Sequence, residues 1–263
     1  MHSDSARPRV AVISYLNTVP LIWGLQNGPR RHPFHLDFCL PSEGADRVRD
    51  GLSDIGILPV IEMARQRLSS IAGLGIACDG PVRSILLVSK VPPSQIRSLA
   101  VDRGSRTSVM LARVILSRSY DAHPLISIAE PALEDMLASN DAALIIGDPA
   151  LHLDPESLPF LCLDLGQEWK RLTGLPMVFA LWCGHSRFIN PANSQHFLDS
   201  LAYGERHLAT IVASQSALHR LPPDLVHSYL TQNIRFRLGE PEYKGLNTYL
   251  DFAAALEPAL ELQ

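Results

Sequence analysis

Short apolar runs that stop at polar, often glycine-bearing clusters recur along this chain, and that pattern limits the folds open to it. Val10-Ala11-Val12-Ile13 ends at Ser14-Tyr15-Leu16-Asn17-Thr18-Val19-Pro20, and Leu99-Ala100-Val101 ends at Asp102-Arg103-Gly104-Ser105-Arg106-Thr107-Ser108. Ala142–Ile146 ends at Gly147-Asp148-Pro149, while Gly80-Pro81-Val82-Arg83-Ser84 leads into Ile85-Leu86-Leu87-Val88. Runs this short and apolar read as strands buried on both faces. Helical spacing follows several of them, as with Ala45, Val48 and Leu52, or Leu111, Val114 and Ile115. Strand then helix, repeated, predicts an α/β protein with a largely parallel sheet.

Further strands are predicted over 54–59, 84–89 and 177–182, and helices over 42–50, 192–214, 222–231 and 242–256. Two proline-bearing links, Lys90-Val91-Pro92-Pro93 and Thr173-Gly174-Leu175-Pro176, bracket a middle segment with its own strand–helix–strand order. That segment fits a lobe inserted into the first, with the links as hinges. It fits one continuous sheet equally well, because prolines between elements are common.

A length of 263 residues allows one large domain or two lobes. Net charge is −4 and the basic residues cluster no further than pairs such as Arg30-Arg31, so no nucleic-acid groove is predicted. No apolar run approaches the roughly 20 residues of a membrane helix. The first seven residues lack a signal-peptide pattern, and a cytoplasmic location is expected. Cys39, Cys78, Cys162 and Cys183 are scattered among apolar neighbours, which suggests free thiols and no zinc site.

In α/β sheets, ligands gather at the carboxyl ends of strands, where loops and helix starts present free N–H groups. The cluster at Ser14–Thr18 is therefore a candidate site, although Ser14 and Thr18 would serve equally as turn or helix caps. Asn17 can both donate and accept. Gly104 permits a tight turn, and the helix start behind it, with the Ser105, Thr107 and Ser108 hydroxyls, suits a carboxylate. No Gly-Lys-Ser/Thr follows that glycine, so nucleotide binding has no support. Arg83 or Arg106 could grip a carboxylate in bidentate fashion, or stand at the surface. Asp148 could orient a hydroxyl or move a proton, or form an Asx turn before Pro149. The ten histidines form no metal-ligand spacing and no Gly-x-Ser-x-Gly elbow occurs. A ligand-binding cleft rich in hydroxyls, with no evident strong base, is the reading these residues support.

Several strings in order resemble one family. Val12-Ile13-Ser14-Tyr15-Leu16-Asn17-Thr18-Val19-Pro20-Leu21, Ser53-Asp54-Ile55-Gly56-Ile57-Leu58-Pro59 and Gly80-Pro81-Val82-Arg83-Ser84 are similar to the chorismate dehydratase family of the futalosine route to menaquinone. So are Ser105-Arg106-Thr107-Ser108, Gly147-Asp148-Pro149-Ala150, Asp164-Leu165-Gly166-Gln167-Glu168-Trp169, Thr173-Gly174-Leu175-Pro176 and Gly245-Leu246. A later enzyme of that route opens with a Ser-Pro-Cys-Pro-Asn-like string, which Ser14-Tyr15-Leu16-Asn17-Thr18 does not match.

The resemblance implies a two-lobed, type II periplasmic-binding-protein-like fold with the second lobe inserted through two hinge crossings. The expected bounds are 1–91 and 176–263 for lobe I and 92–175 for lobe II. It implies dehydration of chorismate to 3-[(1-carboxyvinyl)oxy]benzoate without a cofactor or metal. Asn17 and Ser84 are assigned to the reacting centre, and Ser105, Arg106, Thr107 and Ser108 to carboxylate binding. Ser14, Tyr15, Arg83 and Asp148 complete the substrate-binding set. The expected partner is the small dicarboxylate itself, and a homodimer is compatible with the sequence. A cytosolic, non-catalytic binder of a small cyclic carboxylate is the rival reading, since this fold serves binding widely.

Overall fold

The computed structural model describes residues 7–29, 31–102, 104 and 106–257. The chain forms two sheets. The first has the order β11-β4-β10-β3-β1-β2, built from β1 (Arg9–Ile13), β2 (His35–Cys39), β3 (Ile55–Pro59), β4 (Ser69–Cys78), β10 (Met177–Gly184) and β11 (Arg235–Arg237). The second has the order β7-β6-β8-β5-β9, from β5 (Ile85–Ser89), β6 (Ser98–Asp102), β7 (Leu125–Ala129), β8 (Ala142–Ile146) and β9 (Leu161–Asp164). Helices α1 (Val19–Asn27), α2 (Pro41–Arg49) and α3 (Val60–Arg65) belong to the first lobe. The second carries α4 (Thr107–Tyr120), α5 (Leu133–Ser139), α6 (Asp148–Leu151) and α7 (Leu165–Thr173). The chain then returns to the first lobe with α8 (Pro191–Arg206), α9 (Leu208–His219), α10 (Pro223–Ser228) and α11 (Glu240–Leu256).

Both sheets are mixed, not largely parallel. β1 runs parallel to β2 and β3, and β6 runs parallel to β7 and β8. Strands next to the crossings run the other way: β10 is antiparallel to β3 and β4, and β5 is antiparallel to β8 and β9. A strand that enters a sheet from the opposite lobe arrives reversed, and hydropathy carries no sign of direction. The edge strands β2, β7, β9 and β11 and the whole of β4 also escaped the sequence reading; the edge strands are short and only partly buried, and β4 is interrupted by Gly73 and Gly75.

The first crossing differs from expectation. β5 lies in the second sheet, so the chain changes lobes within residues 79–84, before β5, and the Lys90–Pro93 link is an ordinary connection inside that lobe. Gly-Pro at 80–81, with Gly80 at φ 116°, makes this turn. Asp164 anchors it by accepting the Val82 and Arg83 N–H groups at 2.9 and 2.6 Å while also capping α7 through Gly166 and Gln167. The second crossing, 174–176, falls where the proline link was read. There Gly245 of α11 lies against the Pro176 carbonyl, where a Cβ would come within 2.0 Å, and Trp169 Nε1 donates to that same carbonyl at 3.0 Å.

One hydrophobic core runs through both lobes, from Val10 and Trp182 to Leu99 and Leu144. A smaller one covers the far face of the second sheet, around Leu86, Val88 and Met136. The predicted 192–214 helix breaks at His207, which leaves the helical region at φ −111°, ψ 21°. The predicted 222–231 helix widens into a π-helical turn over Tyr229–Asn233. Cys78 and Cys183 are buried and Cys39 and Cys162 half-buried, all four as free thiols. Among the described residues no helix is long and apolar enough to cross a membrane.

Candidate functional site

The carboxyl ends of β1 and β3 in one lobe face the ends of β6 and β8 in the other, across a cleft. Its floor is apolar, from Ile13, Pro59, Ile76, Ile85, Ile146 and Phe179. Its polar wall comes from two places, the turn after β1 and the start of α4.

After β1 the Ser14 N–H continues the pairing with β2 by donating to the Cys39 carbonyl at 3.1 Å, and the chain then tightens into a 3-10 turn over Leu16–Thr18. Leu16 and Thr18 become buried while Tyr15 and Asn17 line the cleft. Ser14 points to solvent. Tyr15 lies flat against Gly147, where a Cβ would sit 2.8 Å from the ring, and Gly147 holds φ 66°. No other residue allows both the conformation and the approach.

Behind Asn17 is a buried hydroxyl chain. Tyr229 is fully buried on the π-helical turn and donates to Ser84 Oγ at 2.8 Å. The Asn17 carboxamide lies close enough to this phenol to favour its ionised form. A phenol has one proton; with it directed to Ser84, the Ser84 proton remains for another acceptor. Burial pushes the Tyr229 phenol up, an effect only partly opposed by Ser84 and Asn17. Burial, with Asp102 and Asp148 nearby, does the same for Tyr15. Both phenols are therefore protonated donors at neutral pH.

Across the cleft, α4 begins with no acidic residue in its first turn and no side-chain cap. Thr107 and Ser108 are buried and line the cleft. Tyr249 of the first lobe donates to the Thr107 carbonyl at 3.0 Å, which fixes where this helix starts. Its unopposed first-turn N–H groups favour an anion. Ser105 lies outside the described residues.

The two arginines differ from expectation. Arg106 stands at the cleft edge with its guanidinium held by Asp46 and Glu62 of the first lobe, each at 2.9 Å. Arg83, at φ 66°, turns away from the cleft and donates to the Ala150 carbonyl at 2.9 Å and to the Leu151 and Leu153 carbonyls, closing the end of α6. Both guanidiniums stabilise the lobes instead of reaching into free space. Asp148 is engaged too: it accepts the Leu16 N–H at 3.0 Å and lies 3.5 Å from His219, so it struts one lobe against the other. Its burial pushes its carboxyl up, against the pull of Leu16 and His219.

The structure thus brings Tyr15, Asn17, Arg106, Thr107 and Ser108 to one cleft, with Ser84 directly behind. Ser14 and Arg83 are elsewhere. Among the described residues lining the cleft there is no carboxylate, imidazole or thiol. Nor does any group of three His, Cys, Asp or Glu lie close enough to hold a metal ion. Tyr229 and Phe179 were not found from sequence, since neither stands in a polar cluster. Such a site can hold an anionic ring compound and stabilise charge on it with neutral donors.

The architecture is a periplasmic-binding-protein-like fold. A solved Archaeoglobus fulgidus protein superposes with a TM-score of 0.74 at 14% identity, covering 96% of this chain and 98% of its own. The periplasmic aliphatic sulphonate binding protein of Escherichia coli gives 0.65 at 14% identity, over 97% and 88%. A Candida albicans protein described as having the generic periplasmic binding protein fold gives 0.60 at 13% identity, over 96% and 92%. At these identities the likeness speaks for fold alone. The family model for menaquinone biosynthesis matches residues 8–255, and the chain belongs to that family. Chorismate dehydratase of Campylobacter jejuni is 28% identical over 172 residues, a stretch spanning 64% of this chain and 63% of that relative.

Proposed function

We propose that this chain is a chorismate dehydratase that eliminates water from chorismate to give 3-[(1-carboxyvinyl)oxy]benzoate. The observation that carries the reading is Asn17 on an apolar cleft whose described lining offers no base, backed by the buried Tyr229–Ser84 hydroxyl pair. Membership of the menaquinone-biosynthesis family and the similarity to the Campylobacter enzyme support it.

The chemistry suits those groups. The proton leaves the ring carbon that bears the ether, which is conjugated through a double bond to the ring carboxylate. The C–H electrons spread toward that carboxylate, then form the last ring double bond as the neighbouring C–O bond breaks. Proton and hydroxide depart as water, and no oxidant is needed. Hydrogen bonds that strengthen as charge builds on the ring carboxylate and the leaving oxygen lower the barrier. Asn17 is assigned to this role at the cleft surface, and Ser84, buried with Tyr229, to ordering the reacting centre from behind. The start of α4, with Thr107, Ser108 and Ser105, is assigned to a substrate carboxylate. With Asp148 engaged by Leu16 and His219, the substrate's own enolpyruvyl carboxylate is the proton acceptor. The reaction takes place in the cytoplasm, and lobe closure around the substrate excludes water.

Incubating the purified protein with chorismate and following the aromatic product by ultraviolet absorbance and mass tests this directly. Turnover is expected, and Asp148→Asn should retain it. Chorismate binding without product would make the chain a binder, and loss of turnover in a folded, binding-competent Asp148→Asn variant would make Asp148 the base.

A further inference from the structure

The two sheets end in four edge strands, and one of them is unlike the others. β2 carries His35 and Asp37 and β11 carries Arg235 and Arg237, whereas β9 exposes one large apolar side chain, Leu161, and turns its Asp164 inward onto the Val82 and Arg83 N–H groups. Charges of this kind discourage pairing with another chain. β7, Leu125-Ile126-Ser127-Ile128-Ala129, has no charge, and its Leu125 and Ile128 are 80% and 67% exposed, with Ile126 at 38%. An uncharged apolar edge is a template for a further strand.

The backbone says how that strand would lie. The Leu125 N–H donates to the Arg97 carbonyl, so Leu125, Ser127 and Ala129 direct their peptide groups toward β6. The N–H and C=O of Ile126 and Ile128 therefore face outward. We propose that β7 pairs antiparallel with β7 of a second copy of this chain about a twofold axis at Ser127. In that register Ile126 of one copy faces Ile128 of the other, twice, and all four outward N–H groups meet the four outward carbonyls. The four isoleucines form one apolar cluster on one face of the joined sheet.

Neighbouring registers are worse. A shift that sets Ile128 opposite Pro124 meets a residue with no N–H. A shift that sets Ile126 opposite Glu130 meets a carbonyl that already accepts the Ala132 N–H at 2.7 Å. Self-complementarity of the apolar face and of the outward N–H and C=O groups argues for a second copy as the occupant. The joined sheet links second lobe to second lobe and leaves the cleft outside the contact.

Edge-to-edge pairing of five residues buries less than the roughly 800 Å² per partner of a standard interface, so association on the order of micromolar is expected. Sedimentation velocity from about 1 to 200 µM should show the mass moving toward twice that of the chain. An Ile126→Lys/Ile128→Lys variant should stay monomeric over this range with an unchanged melting temperature and unchanged turnover. Directly opposed residues of a non-hydrogen-bonded antiparallel pair have Cα atoms about 4.5 Å apart, within disulfide reach. Oxidised Ser127→Cys should therefore give a disulfide-linked dimer, and Leu125→Cys, which faces Ala129, should not. Wild type that stays monomeric at the highest concentration would overturn the proposal. So would a dimer that survives both lysines, or a Ser127→Cys that does not cross-link; an edge that captures a different protein would then be the alternative.

Discussion

The two polar walls of the cleft are built on opposite principles. The wall after β1 is made of side chains: Asn17 lines the cleft, and the hydrogen-bonded Tyr229 and Ser84 hydroxyls are buried behind it. The wall at the start of α4 is made of backbone: an uncapped helix start, fixed by Tyr249 and flanked by an arginine already paired with Asp46 and Glu62. Dipoles that cannot reorient suit charge that appears only during reaction. A helix start suits charge the ligand carries throughout. The first wall should therefore govern kcat and the second KM.

Asn17 offers the severest test of that division. Asn17→Asp keeps the shape but removes the N–H donors at the cleft surface and adds a negative charge, so turnover should fall by about 10²–10³ with the melting profile retained. Near-normal activity would break the assignment.

Tyr229→Phe comes next, with kcat lowered about tenfold to a hundredfold and KM within about threefold. The loss should be less than additive with Ser84→Ala, because either change already breaks the chain; additive losses would mean Tyr229 only fills space. The phenylalanine also leaves buried partners unmet, which costs about 1–3 kcal/mol of stability by denaturant titration.

Thr107→Val and Ser108→Ala should raise KM by roughly tenfold and spare kcat, since they touch the wall assigned to standing charge. A pH series sharpens the same contrast. With both phenols pushed up and no base among the described lining residues, kcat should be flat from about pH 6.5 to 9, and a titration inside that range would point to a protein base.

Arg106→Met should have the smallest effect. It removes a tie between the lobes, but Arg106 and Asp46 are partly exposed, so a loss of about 1 kcal/mol is expected. High salt should narrow the difference between variant and wild type, because screening weakens the native pair.

Much of the second wall was legible in the sequence, because a strand end, a glycine and a run of hydroxyls before a helix are consecutive. Half of the first wall was legible for the same reason. The rest was not. Tyr229 lies 145 residues from Ser84 and joins the site through a π-helical turn that no local pattern announces. The arginines misled for a related reason: a guanidinium in a polar cluster looks available until its partners, Asp46, Glu62 or the end of α6, are known.

The sequence alone determined the alternation of strands and helices and the strand-end position of Asn17. Those follow from local hydropathy, backbone freedom and residues adjacent in the chain. Only the tertiary structure decided that β5 belongs to the second sheet, that both sheets are mixed, and that Tyr229 pairs with Ser84 behind Asn17 while Arg83 does not reach the cleft. Strand direction, hydrogen-bond partners and the fate of a long side chain depend on what lies across space, and neither spacing nor composition encodes that.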